Sequence, residues 1–197
     1  MIRYSHMPHN PSEHARIPTD DEVLAYLDTI EPGRFPLPVF NALAKRLTQA
    51  TVELVPIRTT EDGKTEVLLT QRPAGDPWEH EWHVPGTILL ASDTPKHARD
   101  YSEPFQRLLG EKGELKSGVR ALSQPTEVST ERRITRRGPE LSVINWVEVE
   151  GEPIVGRFFD IDGFPGNVPE PGVIEHHQDF IPRAVEHYLA TRANAEQ

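Results

Sequence analysis

An Asp-Gly turn between two apolar segments constrains the fold of this chain more than any other feature of the sequence. Residues 51–58 and Thr65–Gln71 are rich in residues that favour strands, and Glu61-Asp62-Gly63-Lys64 lies between them. Asp-Gly at the centre of a short connection is a strong hairpin signal, because a tight turn needs the positive φ that glycine accepts. The sequence therefore predicts an antiparallel hairpin within a sheet.

Beyond the hairpin, strand patterns and helix patterns alternate. Further strands are predicted at residues 126–133, 141–149 and 157–161, and a helix is predicted over residues 95–109, since proline suits a first helical turn. The closing helix has one apolar face, formed by Phe180, Ile181, Ala184, Val185, Tyr188 and Leu189. Strands on both sides of one helix, with a second helix at the end, predict an α/β fold in which helices cover a mixed sheet.

Residues 1–50 are predicted to form an N-terminal arm and two short helices, and residues 51–192 the main domain. Thr19 and Glu22 form a capping-box pattern before the first helix, and the second helix is predicted over residues 38–49. Their apolar residues are expected to be buried: Val23, Leu27, Ile30, Phe40, Leu43 and Leu47. Burial against the sheet and burial across a two-fold interface are both open, so a homodimer is one alternative.

Composition and charge argue against several classes of protein. The chain has no cysteine, which excludes disulfides, thiolate metal sites and cysteine nucleophiles. Its formal net charge of −10 predicts that it binds neither a nucleic-acid backbone nor an anionic membrane surface. The apolar runs are too short to cross a bilayer, and the N-terminus has no apolar run of signal-peptide length. The expected location is therefore the cytoplasm.

Three motifs follow one another in a defined order. A strand ends in Thr70-Gln71-Arg72, Trp82-His83-Val84-Pro85-Gly86 follows it, and Phe158-Phe159-Asp160 precedes Glu175-His176-His177 near the end. In this order and spacing the motifs resemble the Nudix hydrolase family over residues 52–189. The resemblance implies a Nudix-type α/β/α sandwich. It also implies hydrolysis, assisted by Mg²⁺ or Mn²⁺, of a nucleoside diphosphate linked to another moiety.

The segment that should supply the metal ligands departs from the family pattern. Counted from the glycine of the second motif, Ser92 stands where the first glutamate belongs, and Arg107 follows 21 positions after that glycine, instead of the family's shorter spacing. Leu108 and Lys112 replace two further glutamates, and Glu111 remains in place. Hard cations need several oxygen ligands, so the pattern predicts weak hydrolysis. The alternative is a catalytically inactive Nudix fold that binds a ligand as a sensor.

The resemblance implies a set of site residues. The metal would be held by the backbone at Gly86 and by Glu103, Glu111 and Glu114. The candidate catalytic residues are Glu111, Arg107 and Glu140, and Glu140 faces either the cleft or solvent. The candidate ligand-binding residues are Arg72, Trp82, Arg133, Arg136 and Arg137.

Plainer interpretations of the same residues stay open. Glu103, Arg107 and Glu111 are spaced four apart, which also describes an ion-pair ladder on the surface of a helix. The four arginines of residues 132–137 are either a solvated strand and turn or a clamp for phosphate, which guanidinium groups suit. Trp82 either stacks on a base or sugar or packs the loop that carries it.

Overall fold

The computed structural model describes residues 19–30, 35–97, 99–109 and 118–195. Two compact units make up the chain, Met1–Phe35 and Pro36–Gln197. The first contains helix α1 (Asp20–Asp28). The Thr19 hydroxyl accepts a hydrogen bond from the Glu22 N–H, and the Glu22 carboxylate accepts one from the Thr19 N–H. The predicted capping box is thereby confirmed, whereas the predicted arm over residues 1–18 lies outside the described residues.

The second unit contains a sheet with helices on both sides. Its strands are β1 (Gln49–Thr59), β2 (Thr65–Gln71), β3 (Trp82–His83), β4 (Gly86–Ile88), β5 (Val119–Ala121), β6 (Thr126–Ile134), β7 (Pro139–Gly151) and β8 (Arg157–Asp160). Its helices are α2 (Leu37–Ala44), α3 (Ser102–Leu109) and α4 (Glu175–Ala195), with a 3-10 turn at Ile161–Gly163. None of the described helices is long and apolar enough to cross a membrane.

The sheet is built around β1 and β7, which run parallel from the pair Gln49–Glu140 to the pair Ile57–Glu148. All other pairings between these strands are antiparallel, and an isolated parallel bridge joins Trp82 to Val173. Along one side of β1, β4 pairs with its beginning and β2 with its end, while β5 and β6 pair with β7. β3 and β8 pair with β2. This arrangement confirms the predicted hairpin and mixed sheet.

Alternate residues of the central strands enter two separate cores. Val55 and Trp146 pack with the apolar face of α4, whereas Leu54 and Val147 pack with Leu108 of α3. Successive side chains of a strand point to opposite faces, so the two helices cover opposite faces of the sheet. The predicted α/β/α sandwich is confirmed.

The helix predicted from Pro95 begins at Ser102 instead. The Asp100 carboxylate accepts hydrogen bonds from the Lys96 and Ser102 N–H groups, and Arg99 has a φ of +64°. These contacts stabilise a loop ahead of the helix, because a side-chain acceptor competes with the helical hydrogen-bond pattern.

The apolar faces of the N-terminal helices are less buried within one chain than predicted. The exposed fraction is 40% for Val23 and 60% for Leu47, so predicted burial is wrong at these positions within the single chain. Leu47 is exposed because α2 ends at Ala44, before the predicted end at residue 49. Ala44 itself is buried.

Replacing Leu108 by alanine should lower the free energy of unfolding by about 2–5 kcal/mol, because it leaves a cavity between α3 and the sheet. Leu189→Ala is the matched control, since Leu189 is also helical but 46% exposed, and should cost less than about 1 kcal/mol. Urea denaturation of both variants measures the difference. Equal losses would contradict the packing described for α3.

Candidate functional site

A polar pocket lies where β1, β4 and the start of β7 meet the loop after β2 and the start of α4. Its charged, polar and aromatic lining includes Glu53, Glu140, Arg72, Arg137, His176, His177 and Trp78. A cleft that combines both signs of charge with an aromatic wall suits a polar, charged ligand.

The strand pairing of β1 brings Glu53 into this pocket. Glu53 pairs with Gly86 of β4, and a Cβ on Gly86 would collide with the Glu53 carboxylate. Gly86 thus leaves space for a buried carboxylate. Sequence interpretation missed Glu53, although a charged residue within the apolar run of residues 52–57 is a signal that could have identified it.

Arg72 and Arg137 supply the positive charge. Within the described residues, the Arg72 guanidinium forms no hydrogen bond or ion pair. Arg137 donates to Asp76 over 2.9 Å, and these side chains are 12% and 10% exposed. The Nε–H groups of both arginines are buried without an acceptor in the described part of the chain. Burying such donors unsatisfied costs about 1–3 kcal/mol each, so the site has spare donors for an anion.

The other predicted arginines have different surroundings. Arg133 forms an ion pair with Glu131, and Arg136 forms one with Glu81. Arg132 is exposed. The arginine-rich segment is therefore divided among separate contacts, and only Arg137 of this segment lines the pocket.

Glu140 is 4% exposed and lines the pocket. Burial raises the pKa of its carboxyl, and this effect is opposed by the positive charges of Arg137, Arg133 and Arg72. The cleft-facing alternative for Glu140 is thus the one seen in the structure. A carboxyl of this kind holds a proton at higher pH than an exposed one.

Three histidines lie in or beneath the pocket. His83 donates from Nδ1 to the Val84 carbonyl over 2.6 Å, and His177 accepts at Nδ1 from the Val84 N–H over 3.3 Å. Burial lowers the pKa of both well below the usual value. Burial and the neighbouring arginines lower the pKa of His176 to about 4. All three are therefore neutral at pH 7.

The predicted metal-binding helix is only partly described. Glu103 accepts hydrogen bonds from the backbone and hydroxyl of Thr94, and Arg107 binds the Asp93 carboxylate and, over 2.9 Å, the Ile88 carbonyl. These contacts tie α3 to the loop after β4. Glu111 and Glu114 lie outside the described residues.

The described side chains do not furnish a site for the expected Mg²⁺ or Mn²⁺. In residues 19–30, 35–97, 99–109 and 118–195, no three histidine, aspartate or glutamate side chains converge in a way that would hold a metal ion. A hard cation needs such a set of oxygen ligands. Glu103 accepts a hydrogen bond from Thr94 and does not line the pocket that contains Glu53 and Glu140.

Trp82 lies in the core rather than in the pocket lining. Its ring packs edge-on against Phe159, with 5.1 Å between centroids. Trp78 lines the pocket instead, with its ring edge-on to His176 at 5.6 Å. Of these two tryptophans, Trp78 is the one that lines the pocket, and it is 3% exposed.

The buried histidines predict a pH-dependent stability. Their folded pKa values are lowered, so below pH of about 6.5 the unfolded chain binds protons that the folded chain does not. We expect the free energy of unfolding to fall as pH drops from about 7 to 5, by roughly 1.4 kcal/mol per pH unit for each histidine that stays neutral. Urea denaturation of the wild type and of His177→Asn measures the slope. The variant should show a shallower slope, and equal slopes would refute a buried neutral His177.

Comparison with known proteins shows the fold. No family model and no curated protein matches the sequence. The Nudix domain of Shewanella oneidensis NrtR, solved in a cocrystal with ADP ribose, aligns with a TM-score of 0.51 at 14% identity and covers 87% of this chain and 99% of that domain. A MutT/nudix family protein from Enterococcus faecalis has a TM-score of 0.47 at 14% identity, covering 88% of this chain and 70% of that one.

The prediction that nucleic acid is excluded as a partner is wrong. Shewanella oneidensis NrtR has also been solved in complex with a 27mer DNA, with 14% identity, a TM-score of 0.47, and coverage of 71% of this chain and 61% of that one. What the structure and the NrtR domain together show is that this chain has the Nudix fold.

Proposed function

We propose that this chain binds a phosphate-bearing, nucleotide-type ligand in the pocket between Arg72 and Arg137. The observation that carries the proposal is Arg72, a half-buried guanidinium that lines the pocket and forms no hydrogen bond or ion pair within the described residues. A partly buried charge needs a partner. Guanidinium groups bind phosphate oxygens through two parallel hydrogen bonds.

Two further observations support the ligand class. Trp78 and the neutral His176 provide ring surfaces beside the arginines. The NrtR Nudix domain, which shares the fold, was crystallised with ADP ribose. ADP ribose is therefore the first compound to test, because it combines a diphosphate with groups that form hydrogen bonds and stack.

Hydrolysis of the bound compound is the second candidate function, and Glu140 favours it. Glu140 lies in the same pocket, and burial raises the pKa of its carboxyl. A carboxyl with a raised pKa exchanges protons nearer to neutral pH, as general acid–base catalysis requires. We rank binding first because the altered box residues and Glu103 do not supply metal ligands.

Replacing Arg72 by glutamine should weaken ADP-ribose binding about 10- to 100-fold, since it removes charge-assisted hydrogen bonds. Isothermal titration calorimetry without added metal measures the dissociation constant. Arg132→Gln is the matched control, because Arg132 is exposed outside the pocket lining, and it should change affinity by less than about 3-fold. Unchanged affinity in Arg72→Gln would rule out this pocket as the phosphate site.

Turnover should be slow or absent with Mg²⁺ or Mn²⁺, because the box has lost glutamates at Ser92, Leu108 and Lys112. Hydrolysis of nucleoside triphosphates, nucleotide sugars and ADP ribose should be assayed with three proteins: the wild type, Glu140→Gln and Glu111→Gln. Rapid hydrolysis that either substitution abolishes would contradict the binding proposal and establish an enzyme. Binding without hydrolysis in all three proteins would agree with it.

A further inference from the structure

The N-terminal helix α2 touches the turn that carries Arg137. Phe40 and Ala44 are four residues apart, so they share one face of the helix. The Arg137 guanidinium carbon lies 5.5 Å from the centre of the Phe40 ring. The carbonyl of Ala44 lies against Gly138, so closely that any Cβ at Gly138 would collide with it. Two independent contacts therefore join α2 to adjacent residues of this turn.

The Arg137 guanidinium is held by three groups from two parts of the chain, the loop after β2 and helix α2. The Trp78 ring centre is 5.1 Å from its central carbon, on the loop after β2, and Asp76 of that loop accepts a hydrogen bond over 2.9 Å. Phe40 supplies the third contact from α2. Both ring distances lie within the range over which a cation is attracted to an aromatic face.

This arrangement fixes the direction of the remaining Arg137 donors. A long side chain with four rotatable bonds loses much freedom on binding unless it is ordered beforehand. Two rings and one carboxylate restrict the guanidinium plane, and its Nε–H stays buried without an acceptor among the described residues. Glu53, Glu140 and Arg72 are the other charges whose fields act on it.

We infer that Phe40 is a positioning residue for the ligand site: the ring holds the Arg137 guanidinium in the pocket and so makes α2 part of the binding machinery. The role in binding rests on the function proposed above. The contact between Phe40 and Arg137 does not rest on it, because it is observed directly in the structure. The N-terminal segment thereby gains a function that its sequence did not indicate.

The test compares Phe40→Leu, which removes the ring but keeps an apolar side chain, with Phe40→Tyr, which keeps the ring. Phe105→Leu is the matched control, because Phe105 is also a half-buried phenylalanine but packs beside Leu54 and Leu108. A general loss of stability should affect both leucine variants alike. Only Phe40→Leu removes a ring from Arg137.

The first readout is the Nε–Hε cross-peak of Arg137 in an NMR spectrum of the full chain without ligand, assigned with Arg137→Lys. The shift of this peak includes the ring current of Phe40. We expect it to move and broaden in Phe40→Leu, and to return towards its original position in Phe40→Tyr. It should stay in place in Phe105→Leu. An unchanged peak in Phe40→Leu would overturn the inference.

The second readout is the dissociation constant for ADP ribose. We expect Phe40→Leu to weaken binding about 5- to 20-fold, as loss of a partly desolvated cation–π contact implies. Phe40→Tyr and Phe105→Leu should stay within about 2-fold of the wild type. A moved cross-peak with unchanged affinity would overturn the role in binding.

Failure of the proposed function gives a different pattern. If the wild type binds no ADP ribose or other nucleotide, the proposed function fails and the binding role of Phe40 fails with it. The ligand-free spectrum still decides whether the Phe40 ring contacts Arg137. The two failures are therefore distinguishable.

Discussion

The parallel pairing of β1 with β7 is the constraint on which the rest of the structure depends. Its register runs from Gln49–Glu140 to Ile57–Glu148 and fixes which side chains share a face. Leu54 then faces the α3 core, and its neighbour Val55 faces the α4 core. A shift by one residue would exchange the two faces and disrupt the packing of both cores. The same register sets Thr51, Glu53 and Glu140 at the pocket.

The pocket concentrates charge where the sheet is otherwise apolar. Carboxylates at Glu53 and Glu140 lie with the guanidinium groups of Arg72 and Arg137, and burial raises the pKa of Glu140 while it lowers the pKa of Arg137. Buried charges of both signs stabilise one another only when they are well hydrogen-bonded. Within the described residues, Arg72 forms no such bond. A bound phosphate would accept one.

Hydrophobic periodicity predicted the long elements, because the spacing of apolar residues within each element marks its buried face. The β1–β2 hairpin, β7 and α4 were predicted in this way. The beginning of α3 was predicted wrongly because Pro95 is compatible with a first helical turn. The Asp100 carboxylate instead accepts hydrogen bonds from the Lys96 and Ser102 N–H groups, which keeps this segment in a loop. Arg72, Arg137 and Glu140 were predicted as site residues, and they do line the pocket. Glu53 was missed although its charge within an apolar run is a local signal, and Asp76 and Phe40 were missed because their roles arise from contacts between segments far apart in the chain. Such contacts leave no local pattern in a single sequence.

The central claim, that this Nudix fold receives a phosphate at Arg72, is tested most directly by a crystal structure of the chain soaked with ADP ribose. The account predicts phosphate oxygens within about 3 Å of the Arg72 guanidinium nitrogens, with Trp78 beside the ligand and Arg137 still paired with Asp76. Density for ADP ribose at another surface, with no anion bound to the Arg72 guanidinium, would contradict the account.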